Sequence, residues 1–372
     1  VDLSFTPEEE SFRAEARSWL EANVPTDLPS LDNEDGFAAH RVWERRMADE
    51  RWSVVAWPEK YGGRGASLTE WLIFEEEYWR AGGSARVSQN GILLLAPTFF
   101  AHATDAQCAR FLPRMARADD VWAQAWSEPG AGSDLASLRS KAVRDERAGG
   151  WRLSGQKTWS SRAAWADWAF GLFRSDPSSD RHRGLTYFLF PLTAGGVTVR
   201  PIRQLDGETG FAEIFLDDVF VADDQVLGEV GKGWSVAMAT TSSERGLSLR
   251  SPGRFIASVD RLRALAGGAA DDGVVDAWLD AEAYRLYTWG AATRLAAGDE
   301  LGASSSLMKL FWSEMDVRLH ETALRVLGDR APAKSSWLDG FLFSLSGPIY
   351  AGTNEIQRDL VAERVLGLPR SR

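Results

Sequence analysis

The chain of 372 residues carries one cysteine, Cys108, so no internal disulfide and no cysteine-built zinc site can form within it. Histidine is nearly as scarce. His40, His102, His182 and His320 stand singly, without ligand spacing, and no metal site is expected. Positive charge is also in deficit: a formal net charge of -11 and an isoelectric point near 5.1 oppose nucleic acid or an anionic membrane surface as the main partner. The most apolar stretch, residues 92–100, falls far short of the roughly 20 residues a spanning helix requires, so no membrane segment is expected. No secretory leader is recognisable within this numbering, and with so little cysteine the expected location is cytoplasmic.

What the chain does have is length and tryptophan. At 372 residues it exceeds what one hydrophobic core usually organises, which predicts two or three packed layers or domains with room for a large cofactor. Seventeen tryptophans supply apolar bulk and flat stacking faces, and most are expected in the core.

The pattern divides the chain into three regions. Residues 1–120 read as a helical domain: Thr6-Pro7-Glu8-Glu9 is an N-cap followed by proline and acids in the first turn, and Phe12, Ala16, Trp19 and Leu20 recur at helical spacing. The break Trp57-Pro58-Glu59-Lys60-Tyr61-Gly62-Gly63 precedes a second helical stretch at 68–79. Across residues 121–230 the period changes to two. Strands are expected at 151–153, 186–190, 197–200 and 213–216, and with no helices between them they predict an antiparallel sheet or barrel. Residues 231–372 return to helix, from Trp234 to about 250 and through 263–265, 277–297 and 307–327. There is no internal repeat and no low-complexity tail. The fold class is therefore α+β.

The segment Trp126-Ser127-Glu128-Pro129-Gly130-Ala131-Gly132-Ser133-Asp134 contains Gly-x-Gly but lacks the third glycine and the strand–helix–strand setting of a dinucleotide fingerprint. Turn chemistry alone allows a plain surface turn ending in an N-cap. It equally allows a loop whose unshielded amides and hydroxyls donate to a pyrophosphate or a flavin edge.

Residues 124–134 followed by Gly155-Gln156-Lys157-Thr158-Trp159-Ser160-Ser161 resemble the central domain of the acyl-CoA dehydrogenase family, where these stretches face FAD. The resemblance extends over the whole chain in the family's order. It includes residues 57–65, the Gly231-Lys232-Gly233-Trp234 helix entry and Ala351-Gly352-Thr353-Asn354-Glu355-Ile356-Gln357-Arg358. It implies an N-terminal helical domain, a central antiparallel β-barrel-like domain and a C-terminal four-helix bundle. It also implies Trp126 and Ser127 along the flavin ring, Ser133 on cofactor or acyl-CoA phosphates, Trp159 against the flavin, Ser161 near flavin N5, and Thr353 and Gln357 at the flavin or its adenylate.

The activity this resemblance implies is α,β-dehydrogenation of an acyl-CoA thioester, with electrons passed to an electron-transfer flavoprotein. Many members carry a catalytic Glu where this chain has Ala351, and a methyl group cannot take a proton. Branches acting on isovaleryl, long-chain and some sterol-derived acyl-CoAs place the base after the β-domain, directly before an Arg, and the matching pair here is Glu244-Arg245. Ala351 keeps the backbone N–H that polarises the thioester carbonyl. The Arg-x-x-Phe-Gly segment by which tetrameric members reach a neighbour's FAD is missing, and residues 263–273 stand in its place. The expectation is either a homo-oligomer with a modified FAD site or a hetero-oligomer completed by a second, related chain. An oxidase passing electrons to O₂ is the alternative enzyme, and degradation of fatty acids or sterol side chains the expected setting.

Overall fold

A computed structural model describes residues 4–245, 251–268 and 271–370, with side chains described throughout these ranges except at 242–245. The predicted N-cap starts α1 (Pro7–Asn23): Thr6 Oγ1 accepts from the Glu9 amide at 3.2 Å, and the Glu9 carboxylate returns the bond to the Thr6 amide at 2.9 Å. Asn33 caps α2 (Glu34–Asp49), and a second reciprocal box between Ser67 and Glu70 opens α3 (Leu68–Arg80). A π-helical turn at Asn90–Leu95 leads into α4 (Ala96–His102), and α5 (Asp105–Ala116) completes the helical first region.

The middle region forms one sheet from β1 (Trp122–Ala125), β2 (Lys141–Asp145), β3 (Gly150–Ser161), β4 (Trp168–Arg174), β5 (Leu185–Pro191), β6 (Val197–Ile202), β7 (Phe211–Ala222) and β8 (Val226–Leu227). Its order is β6-β7-β3-β2-β4-β5-β8, with β1 beside β4. Most pairs are antiparallel, as the hairpin-like spacing predicts. Two are not: β1 runs parallel to β4, and β2 meets β4 in parallel at Lys141 and Arg174. A parallel pair needs a long crossover, which residues 126–167 provide, and a period-two pattern carries no information about strand direction. The barrel-like region is an open sheet ending at β6 and β8. Its alternation is legible on both faces: Phe170, Leu172, Tyr187 and Leu189 enter one apolar cluster, and Ala169, Phe173, Phe188 and Phe190 the other.

The last region holds α6 (Gly233–Arg245), α7 (Pro252–Leu265), α8 (Asp272–Ala296), α9 (Ser304–Leu327), α10 (Ser336–Ser344) and α11 (Asn354–Leu360). α7 packs on α8 and α9, α8 on α9, and α9 on α10, the four helices of the expected bundle.

The chain forms two compact units that are interleaved in sequence. One gathers α1, α3 and α7 to α11. Glu77 of α3 pairs with Arg17 of α1 at 2.8 Å, and Glu76 accepts from Arg285 at 2.8 Å and from the Trp289 indole at 2.9 Å. The other unit holds α2, α4, α5, the sheet and α6. No helix among the described residues is long and apolar enough to cross a membrane.

Asp271 caps α8 and accepts from both terminal nitrogens of Arg325, at 2.6 and 2.7 Å. These bonds hold its carboxyl down at about 2. A lowered carboxyl pKa adds stability above the unfolded value near 3.9 and loses it as pH falls through the folded value. An NMR titration of the Asp271 carboxyl carbon is expected to show a midpoint near 2, returning toward 3.9 in Arg325→Ala.

Candidate functional site

The glycine-rich segment leaves β1 and closes a tight turn in which the Glu128 and Ala131 amides each donate to the other residue's carbonyl at 3.0 Å. The Trp126 indole is buried, edge-on to Tyr187 at 6.2 Å, and its Nε1 has no partner among the described residues. Ser127 is half-buried and Ser133 exposed, and the neighbouring Asp134 pairs with Arg181 at 2.9 Å.

The second segment ends β3. Gly155 has φ +151°, and a Cβ there would lie 2.2 Å from Ser140 Oγ, so the loop and strand approach too closely for a side chain. Beyond it the register against β7 slips: Lys157 faces Ile214 and Ser160 faces Ala212, so Thr158 and Trp159 together stand opposite one residue. This is a β-bulge, a device that re-aims a side chain. Trp159 takes φ +59°, a conformation costing an L-residue about 1–2 kcal/mol. Its indole is thereby turned outward, 60% exposed, with its edge on Phe211 at 6.1 Å. Trp159 and Trp278 are the only exposed tryptophans among the described residues.

The structure brings these two segments together. The Thr158 amide donates to the Ser127 carbonyl at 2.9 Å, and Lys157 Nζ to the Trp126 carbonyl at 3.3 Å. The Ser127, Ser133 and Ser161 hydroxyls make no hydrogen bond among the described residues. A flavin presents a flat ring with a polar edge, and an outward indole joined to uncommitted hydroxyls fits it.

The C-terminal candidates form a second cluster in the other unit. Ala351 has φ +57°, strain of the kind that collects at functional sites. Thr353 caps α11, accepting from the Ile356 amide at 3.4 Å. Gln357 is fully buried and donates through Nε2 to the Ala351 and Gly352 carbonyls at 3.2 and 3.4 Å, while its Oε1 lacks a partner among the described residues. An orphaned buried acceptor beside a strained turn matches a ligand-facing segment.

Glu244 and Arg245 occupy the last turn of α6, and their side chains lie outside the described residues. The helix itself is firmly seated. Gly231 has φ +77° and donates its amide to Thr186 Oγ1 at 2.8 Å, while Thr240 Oγ1 meets Thr98 Oγ1 at 2.8 Å and the Tyr187 hydroxyl at 3.3 Å.

Sequence reasoning missed two buried lysines beneath these clusters. Lys157 sits under the first. Lys309 of α9 donates to Asn354 Oδ1 at 2.6 Å beneath the second, and the Asn354 amide bonds the Pro348 carbonyl at 2.8 Å, closing the turn that carries Ala351. The available signal was a lysine at an in-phase core position, Lys157 in the alternation of β3 and Lys309 four residues from the core Ser313 on α9. Cavity size is a poor guide here. A cavity of about 400 Å³ borders Pro129, Gly130, Arg139 and Gln156, but a larger one of about 530 Å³, beside Gln107 and Asp223, contains none of the candidate residues.

Comparison with known proteins gives matches along most of the chain. Residues 6–119 match the family model described as acyl-CoA dehydrogenase, N-terminal domain, residues 123–219 the middle domain and residues 231–366 the C-terminal domain. Acyl-CoA dehydrogenase IpdE1 of Mycobacterium tuberculosis is 39% identical over 381 residues, covering 97% of this chain and 98% of that protein. Among solved structures, the Tcur3481-Tcur3483 steroid ACAD superposes with a TM-score of 0.89 at 26% identity, covering 100% of both chains. The ChsE4-ChsE5 complex from Mycobacterium tuberculosis superposes with a TM-score of 0.84 at 29% identity, again over 100% of both.

Proposed function

Because the chain belongs to the acyl-CoA dehydrogenase family, we propose that it catalyses α,β-dehydrogenation of an acyl-CoA thioester to the trans-2-enoyl-CoA with FAD as cofactor. The observation that carries this reading is the outward Trp159 indole on a strained bulge, tied to Ser127 and flanked by the uncommitted Ser161 hydroxyl.

Bound FAD supplies the hydride acceptor, its N5. The chain's own residues do the rest. Glu244 takes the α-proton as carboxylate, so that the β-hydrogen can leave with its electron pair and the new C=C bond is balanced. The Ala351 N–H donates to the thioester oxygen as negative charge develops there, a role that needs backbone only. Trp159 gives the ring a face, Ser127 and Trp126 line it, and Ser161 donates at N5. Thr353 and Gln357 serve the flavin or its adenylate, with Gln357 presenting the Oε1 that has no protein partner. Ser133 and Arg245 hold acyl-CoA, and the electrons pass on to an electron-transfer flavoprotein.

Hetero-oligomeric assembly is the second reading. Residues 263–273 stand where tetrameric members carry Arg-x-x-Phe-Gly. Two of the matched structures are the Tcur3481-Tcur3483 steroid ACAD and the ChsE4-ChsE5 complex, each named for a pair of chains. Expression of the chain alone tests both readings. Yellow protein whose flavin bleaches anaerobically with one member of a panel of straight, branched and sterol-side-chain acyl-CoAs supports the homo-oligomer, and colourless protein that becomes yellow only with a related partner chain supports the hetero-oligomer. Peroxide formation in air without an acceptor dye marks an oxidase. Colourless protein with no flavin uptake under any of these conditions ends the proposal.

A further inference from the structure

Lys157 is 0% exposed, an unusual position for an ammonium group. Its Nζ has three acceptors from two segments: the Leu172 carbonyl of β4 at 2.8 Å, and from the Ser127 turn Glu128 Oε1 at 2.9 Å and the Trp126 carbonyl at 3.3 Å. An ammonium has three protons, and all three are used. A neutral amine would turn a lone pair toward one of these acceptors, so the arrangement is built for the charged form. The Phe173 ring, 4.8 Å from Nζ, adds a cation–π contact.

Glu128 is fixed just as completely. Oε1 also accepts from the Ser140 amide at 2.9 Å, and Oε2 from the Arg139 amide at 2.7 Å. Burial opposes its ionisation, but the Lys157 charge and these donors outweigh burial and hold the carboxyl below its ordinary value. Burial likewise pulls Lys157 down, and Glu128 opposes that shift.

A desolvated ion pair of this kind is weak evidence for stability, because packed apolar side chains of similar volume often hold a core equally well. Its geometry has another consequence. Lys157 lies two residues before Trp159, and its partners flank Ser127: Trp126 on one side, Glu128 on the other. The pair thus clamps the two segments at the point where the Thr158 amide meets the Ser127 carbonyl.

We infer that Lys157 and Glu128 are positioning residues that hold the Ser127 turn and the Trp159–Ser161 bulge at a fixed separation for the flavin ring. This rests on the proposed FAD chemistry for its purpose, but not for its geometry.

The test compares the purified holoprotein with Lys157→Met/Glu128→Gln, which removes both charges together, and with Glu128→Gln alone, which leaves Lys157 its two carbonyls. The expected result is folded protein in which the Thr158 amide exchanges faster with deuterium, FAD binds about tenfold more weakly by titration of the apoprotein, and the fine structure of the visible flavin spectrum is lost. kcat falls about 100-fold with KM little changed, the signature of misplacement rather than lost binding. A smaller change in the same direction is expected for the single variant. Wild-type Thr158 exchange, FAD affinity and spectrum in a folded variant would overturn the inference, and so would failure of both variants to fold, which would make the pair a stability element. If wild-type protein binds no FAD, the proposed function fails, while the Thr158 exchange arm still decides whether the pair positions these segments.

Discussion

Glu244→Gln is expected to lower the rate of substrate-dependent flavin bleaching by about 10²–10⁴-fold, with FAD still bound. The carboxamide keeps the shape and hydrogen-bonding capacity of the carboxylate but cannot take the α-proton. Anaerobic stopped-flow measurement at the flavin absorbance separates this from loss of cofactor, and bleaching at the wild-type rate would remove Glu244 from the mechanism. A companion variant sharpens the result. Ala351 already occupies φ +57°, so Ala351→Glu adds no backbone strain beyond what the alanine carries. In the Glu244→Gln background, Ala351→Glu is expected to restore part of the bleaching rate by supplying a carboxylate at the family's other base position. Restoration in that double variant and not in Glu244→Gln/Ala351→Gln would assign the recovery to the carboxylate.

The second large effect is expected at Gly233→Ala. Gly233 opens α6 directly against the backbone of β5, where an added Cβ would lie 2.7 Å from the Thr186 carbonyl carbon, 2.8 Å from its Cα and 2.8 Å from the Tyr187 nitrogen. Backbone atoms inside a sheet cannot swing aside, so the helix must lift. Overpacking of this kind costs about 1–3 kcal/mol. A domain of this size should lose roughly 2–12 °C in Tm, at about 2–4 °C per kcal/mol. Because α6 carries Glu244 at its far end, kcat should fall as well. Gly290→Ala within α8 is the control. Nothing lies within 4 Å of a Cβ there, and replacing a helical glycine with alanine should stabilise by about 0.5–1 kcal/mol. Calorimetric scans of the two variants should therefore move in opposite directions.

Local chemistry makes much of this architecture readable in the sequence. The Thr6 cap, the strands around Leu153, Tyr187 and Ile214, and the helices through α8 and α9 follow from capping and periodicity, which act over a few residues. Sheet direction was less readable, because the alternation in β1 and β4 is the same whether they run parallel or antiparallel. The assignment of α1 and α3 to the unit of the C-terminal helices was not readable at all. An apolar stripe such as Trp71, Leu72, Phe74 and Tyr78 states that a helix will be buried, not against what. At the candidate site, Gly155 and the Gly231-Lys232-Gly233 entry stood out as parts of family-like motifs, but the close approaches at Gly155 and Gly233 depend on neighbouring segments and came only with the fold. The outward turn of Trp159 was hidden, since a bulge depends on the partner strand's register. Lys157 and Glu128 were hidden for a related reason: their pairing joins positions 29 residues apart, and charge alone usually signals solvent.

The interleaving of the two units sets the order in which the chain can be made. α1 and α3 emerge from the ribosome first and pack on each other, yet α7 and α8, the helices that cover α3, lie beyond residue 251. Until those are synthesised, Leu72, Ile73 and Phe74 have no native cover, and contacts of such long sequence separation form late and slowly. The sheet unit can finish once α6 has been translated, whereas the helical unit must wait for nearly the whole chain. Nascent chains halted once residue 245 has cleared the ribosome should therefore present a protease-resistant sheet unit and an α3 that chaperones still hold.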